Sequence, residues 1–213
     1  MKEKERVYYM LKEVYGTDEP IILSELTVED MKTVTLRQEI MKLNEEGLIK
    51  RFDTGIYYIP SSSAFFGSSA LSIEKVIRKK YLWDGNGCCG YIGGLLFANQ
   101  MGLTTQVPSV YEVITNRATT DYRETKLSSQ RIIIRKPYCR IDDDNASVLQ
   151  FLDLLKDVDS VSEVEGKELT ERLLTYMKRK NISFTNLKPF MGYYPERLYK
   201  NMYEVGLLDG VSA

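Results

Sequence analysis

The chain contains no histidine. That single absence removes Ser-His and Cys-His nucleophilic catalysis, imidazole metal ligation and imidazole acid-base chemistry together. Cysteine is nearly as scarce. Cys88, Cys89 and Cys139 include two adjacent residues and no C-x-x-C pair, which fits neither a disulfide framework nor a zinc site, so they read as ordinary core thiols. Long apolar runs are also missing, and nothing approaches the ~18 uninterrupted apolar residues of a membrane span. The charged start MKEKER leads into an amphipathic pattern, not a secretory leader, and the expectation is a cytoplasmic protein. There is no Gly-Lys-Ser/Thr sequence, and Gly85-x-Gly87 with Gly90, Gly93 and Gly94 is too irregular for a dinucleotide fingerprint. Those glycines are expected to serve close packing instead. No cofactor, metal or catalytic residue is predicted.

What is present suffices for a folded protein: 213 residues, 43% hydrophobic, fit one large domain or two modest ones. A formal charge of −1 conceals a segmental pattern. Residues 1–60 carry 9 basic and 12 acidic side chains, residues 61–140 carry 11 and 5, and residues 141–213 carry 9 and 13. Attraction for phosphate is therefore strongest, in bulk terms, in the middle of the chain. One carboxylate run, Asp142-Asp143-Asp144, invites a metal or general-base role. It stands just ahead of a helical pattern, where acids favour the helix N-terminus and Asn145 or Ser147 can cap, so a structural role is expected.

Periodicity predicts a first helix over Lys2–Tyr15, with Val7, Met10, Leu11 and Val14 on one apolar face. An apolar run Ile21–Leu23 follows, then a short second helix from Ser24 or Thr27 to Met31. A third helix spans Thr33 to Glu46, with Leu36, Ile40 and Leu43 inward and Gly47 as its stop. Leu48–Phe52 and Ile56–Ile59, joined by Asp53-Thr54-Gly55, read as a β-hairpin. Pro60 and Ser61–Ser63 break both periods, which places a domain boundary there. Beyond it the pattern predicts helices over Leu71–Tyr81, capped by Ser72, and over Tyr91–Met101. Strands are expected at Tyr111–Thr115 and Gln130–Arg135, with a further strand or long turn between them. Helices are then expected over Ser147–Leu155, Lys167–Lys180 (Leu169, Leu173, Leu174 and Met177 inward) and Pro195–Val205. The fold class is α+β: an N-terminal winged helix-turn-helix over residues 1–60, then a mixed α/β domain over 61–213 with a helical tail from about 147.

Three helices and a hairpin is the order in which a helix-turn-helix presents a recognition helix to the major groove and a wing to the backbone. Thr33, Thr35, Arg37, Gln38 and Lys42 lie on or beside the outward face of the third helix, and Gln and Arg are the types that bond adenine and guanine edges in pairs. Lys50, Arg51 and Thr54 on the wing suit phosphate contacts. Arg78, Lys79 and Lys80 could add further phosphate contacts, as could Arg117, Arg123, Arg131 and Arg135, although cations at a helix end also favour its dipole. The same architecture also serves protein-protein adaptors without DNA specificity. Tyr57, Tyr58, Tyr193, Tyr194 and Tyr199 could stack on bases, but most are expected in the core or at an interface.

The ending of the first module, Leu43-Asn-Glu-Glu-Gly47-Leu-Ile-Lys-Arg51-Phe-Asp-Thr-Gly55-Ile-Tyr57, resembles that of the winged helix in AbiEi-like antitoxins. The run Cys89-Gly90-Tyr91-Ile-Gly-Gly94 through Gly102-Leu-Thr-Thr-Gln-Val-Pro108, followed by Tyr111-Glu-Val-Ile-Thr115-Asn116, is similar to a second region of that family. The resemblance covers residues 1 to about 155. It implies a DNA-binding antitoxin that represses its own operon through inverted repeats; because one winged helix reads one half-site, a dimer or paired copies are expected on such a repeat. It also implies action against a co-encoded nucleotidyltransferase-type toxin of an abortive-infection, type IV system, without need of a stable complex. The resemblance assigns no catalytic atoms.

Overall fold

In the computed structural model, which describes residues 3–63 and 67–208, helices and sheets mix in an α+β architecture. The chain divides into two compact units, residues 1–80 and 81–213.

In the first unit, helix α1 (Glu3–Tyr15) buries Val7 and Leu11 completely. Val14 is 64% exposed, against expectation, because Tyr15 rather than Val14 turns toward the core at the end of the stripe. Strand β1 (Ile21–Ile22) is wholly buried and runs into a single 3-10 turn, Leu23–Glu25. The second helix expected between Ser24 or Thr27 and Met31 is absent. Asp30 adopts a left-handed φ of 62°, and the segment is held by isolated turn bonds such as Met31 N–H to Val28 C=O (3.1 Å). Leu26, Val28 and Met31 still reach the core, so the apolar signal was real while its helical period was not.

Helix α2 (Thr33–Glu45) places Leu36, Ile40 and Leu43 in that core. Gly47, at φ 72°, reverses the chain, and the N–H groups of Leu48 and Ile49 return to Leu43 C=O. Strands β2 (Lys50–Asp53) and β3 (Ile56–Tyr58) then form the hairpin, with Gly55 at φ 71° and a bulge between Arg51 and Asp53. The three strands lie in the order β1-β3-β2, all antiparallel.

The sequence break at Pro60 falls inside this unit. Strands β4 (Ser62–Ser63) and β5 (Gly67–Ser68) pair, and helix α3 (Ile73–Ile77) continues into a wide π-turn, Arg78–Leu82. Residues beyond Pro60 bond back to the first sixty: Lys75 Nζ reaches Asp18 C=O (2.9 Å) and Glu19 (2.6 Å), and Tyr58 donates to Ser69 C=O (3.2 Å). Ser72 occupies the N-cap position of α3, but its hydroxyl is turned to the Glu74 carboxylate rather than to the backbone.

The second unit is built on a mixed sheet of strands β6 (Gly90–Gly93), β7 (Val110–Thr115), β8 (Tyr122–Leu127) and β9 (Gln130–Arg135), in the order β6-β7-β9-β8. β7 and β9 are parallel, and the other pairings antiparallel. The single helix expected over Tyr91–Met101 is therefore strand β6 followed by helix α4 (Gly94–Gln100). Glycine explains the difference. A Cβ on Gly90 would stand 2.5 Å from Tyr81 C=O and 2.7 Å from Ile114 C=O, so the small residues admit a neighbouring backbone in a sheet. Helix α5 (Ala146–Val161) is longer than expected and is the centre of the unit, touching α4, β6, α7 (Phe184–Met191) and α8 (Arg197–Glu204). Helix α6 (Gly166–Arg179) buries Leu169, Leu173, Tyr176 and Met177, while Leu174 is 48% exposed, displaced from the stripe by Tyr176. Helix α7 escaped sequence reading because Pro189 stands inside it. It starts from a capping box, Ser183 with Asn186.

Candidate nucleic-acid interface

Helix α2 fixes the candidate residues by anchoring one face. With Leu36, Ile40 and Leu43 buried, the opposite side is left to solvent: Thr33, Arg37, Gln38 and Lys42 are exposed and Thr35 is half-buried. Arg37 and Gln38 thus stand outward, with their polar groups exposed to solvent. Lys42 is different. Its ammonium lies 2.6 Å from Glu39, a carboxylate only 4% exposed, and this bond pushes the lysine pKa up. Any phosphate at Lys42 would compete with Glu39.

On the hairpin, Arg51 and Thr54 are exposed and bonded to each other, Nη2 to Oγ1 at 3.0 Å, while Arg51 Nε donates to Asp53 C=O (3.3 Å). The Asp53 carboxylate accepts from Thr54 N–H (2.6 Å), which closes the turn. The guanidinium is thereby held at the hairpin tip, with Lys50 half-buried beside it.

The cations after Pro60 separate by environment. Arg78 is exposed and Lys80 half-buried. Lys79 sends its ammonium 4.1 Å over the Tyr15 ring and donates to Pro20 C=O (2.9 Å), and burial pushes its pKa down. It holds α1 and the β1 approach together within the first unit. In the second unit Arg131 pairs with Glu124 (3.0 Å) and Arg135 with Glu112, whereas Arg123 is exposed. The excess positive charge of residues 61–140 is thus partly neutralised locally. Of the tyrosines, Tyr57, Tyr58 and Tyr194 are buried, and Tyr193 and Tyr199 are exposed.

Asp142–Asp144 shape a turn. Asp142 Oδ1 accepts from the N–H groups of Asp144 (3.1 Å) and Asn145 (2.9 Å), and Asp143 accepts from Cys88 N–H (3.0 Å). Asn145 takes the N-cap position of α5, but its side chain bonds Asp142 N–H and Arg140 C=O instead of the helix. Among the described residues no three His, Cys, Asp or Glu side chains are grouped to hold a metal. The three cysteines are free thiols, Cys89 buried and the other two half-buried.

Met41, which the helical period turns away from the buried stripe, is 57% exposed on the outward face of α2. Two features were not read from the sequence. Val34 is 66% exposed on the same outward face, and its signal was present, since it too lies across the helix from the buried stripe. The other is a buried polar group in the second unit: Tyr91 donates to Asp153 Oδ2 (2.5 Å), and Lys156 stands 3.6 Å from Asp153 and 3.0 Å from Asp157. Burial pushes the Asp153 carboxyl up and the Tyr91 phenol well up, and Asp153 Oδ1 has no hydrogen-bond partner. The i, i+3 spacing of acid and base on an apolar helix is the trace this leaves in sequence. A cleft of about 330 Å³ between α4 and α6 lies beside Arg172 and Arg179, the first paired with Glu168 (2.5 Å) and the second set over Tyr176 (5.4 Å).

No protein-family model matches the chain, and no curated protein is significantly similar to it.

Proposed function

We propose that this protein is a sequence-specific DNA-binding autorepressor whose first unit works as a winged helix-turn-helix, with α2 as recognition helix and the β2–β3 hairpin as wing. The supporting observation is the outward face of α2, which exposes Arg37 and Gln38 on a helix whose opposite face is anchored by Leu36, Ile40 and Leu43. A helix with side chains is about 10–12 Å across, and the major groove is about 12 Å wide. The order α1, β1, 3-10 turn, α2, hairpin, with strands in the order β1-β3-β2, is compatible with that docking. Contact with an inverted repeat would use one first unit per half-site, in a dimer or in paired copies. The antitoxin role, against a nucleotidyltransferase-type toxin and without a stable complex, rests on the AbiEi-like resemblance of residues 43–57 and 89–116.

Fluorescence anisotropy of the full chain on the duplex upstream of its own gene, against a scrambled duplex at matched ionic strength, tests the DNA reading. A clear preference is expected, and Arg37→Ala and Gln38→Ala each relax it by about 1–3 kcal/mol. Equal binding to both duplexes overturns it. The antitoxin half predicts relief of growth arrest when the chain is co-expressed with the toxin encoded beside it. An adaptor function has its own supporting observation, the acidic excess of residues 1–60, with 12 acidic and 9 basic side chains. Stable co-purification with a partner protein and no retention on DNA would favour that alternative.

A further inference from the structure

The exposed side of α2 carries an ordered alternation of chemistries. Val34, Gln38 and Met41 follow one another at i, i+4 and i+7, so they form a single outward stripe, with Arg37 beside it. Val34 is 66% exposed and Met41 57%. Neither contributes to the core of the first unit, which α2 reaches through Leu36, Ile40 and Leu43.

The arrangement of the two apolar side chains argues for a particular occupant. A protein-binding helix face gathers its apolar residues into a continuous patch, whereas here a primary amide separates two isolated ones. The major-groove edge of DNA has that mixed character. Its polar groups are the acceptors and donors of the purines and cytosine, and its apolar group is the C5 methyl of thymine. Seven residues of helix advance about 10.5 Å, close to three base-pair steps of about 3.4 Å.

We propose that Val34 and Met41 are specificity-determining residues that pack against thymine methyl groups about three base pairs apart, on either side of the positions read by Arg37 and Gln38. This rests on the DNA-binding reading of α2 given above. It adds what that reading lacks, a statement of base composition: each half-site contains two thymines at that separation, and recognition of each depends on its methyl group.

The test uses the full chain and the duplex from upstream of its gene, with a scrambled duplex as reference. Each thymine is replaced singly by deoxyuridine, which removes the methyl and leaves base pairing intact. Two sensitive positions are expected per half-site, about three base pairs apart, each lowering affinity about fourfold, the effect of withdrawing one buried methyl. Val34→Ala should abolish the sensitivity at one position and Met41→Ala at the other, while Met41→Leu, still apolar, keeps it. Both side chains are exposed, so circular dichroism of the alanine variants should match the unaltered chain. If the upstream duplex is preferred over the scrambled one but deoxyuridine has no effect, or the effect persists in both alanine variants, the methyl inference is overturned and the DNA reading stands. If there is no preference over scrambled duplex, the DNA reading itself falls, and this inference with it.

Discussion

Lys79 and Arg78 are neighbours in sequence and carry the same charge, yet their surroundings give them different work. The Lys79 ammonium is held over Tyr15 at 4.1 Å and bonded to Pro20 C=O, partly withdrawn from water, while Arg78 is exposed. Lys79→Ala is therefore expected to destabilise the first unit by about 1–2 kcal/mol, from loss of a cation-π contact and a charge-assisted hydrogen bond. Thermal melting checks this, and if the chain binds DNA as proposed, the salt dependence of that binding should not change. Arg78→Ala should leave the melting midpoint in place; if Arg78 meets a phosphate, it lowers the slope of log affinity against log salt by about 1. Buried charge in the second unit follows a different rule. Asp153 and Lys156 are both buried, and removing Lys156 would leave the Asp153 carboxylate buried with only the Tyr91 hydroxyl as a direct partner, whereas removing Asp153 leaves Lys156 paired to Asp157.

At the scale of elements, the loop from Thr104 to Pro108 shows how a segment without regular structure is fixed. Glu163, just past the end of α5, accepts from Thr105 N–H (2.7 Å), Thr105 Oγ1 (3.0 Å) and Gln106 Nε2 (2.8 Å), and the backbone bond to Thr105 leads in lowering its pKa to about 2. A folded-state pKa below the ordinary 4.5 means that the loop gains stability from this carboxylate above about pH 4.5 and loses it as pH falls toward 2. Amide exchange at Thr105 should accordingly be faster in Glu163→Ala than in the unaltered chain at pH 6. The two should converge near the folded-state pKa, and equal protection at pH 6 would show that the carboxylate does not hold the loop. The stretch from Gly90 to Gln100 illustrates the same dependence on partners. Its apolar run fits a helix by composition, but Gly90 and Gly93 let β7 approach so closely that the first half joins the sheet.

At the scale of the molecule, the limits of the first unit are set by bonds that reach back from beyond Pro60. Lys75 bonds Asp18 and Glu19, Lys79 bonds Pro20, and the Ser69 hydroxyl meets the Asp18 carboxylate. A fragment of residues 1–80 is expected to melt cooperatively, and one of residues 1–60 at a lower temperature because all of these partners are gone. Calorimetry on the two fragments decides it, and identical melting would place the boundary at Pro60 after all.

The sequence by itself determined the local elements whose signals are local. The 3.6-residue stripes of α1, α2, α5 and α6, the stop at Gly47 and the turn at Asp53–Gly55 all depend on contacts within a few residues. It also determined the outward side of α2, since burying Leu36, Ile40 and Leu43 leaves Arg37 and Gln38 facing solvent. Tertiary structure decided what depends on partners distant in the chain. It reduced the stretch after Leu23 to a 3-10 turn, converted Gly90–Gly93 to a strand and drew Lys79 inward while leaving Arg78 outside. It also tied Lys42 to a buried Glu39. The physical reason is common to all of these. A period fixes which side of an element is apolar, but whether a given backbone or charge is enclosed depends on the surface that folding brings against it.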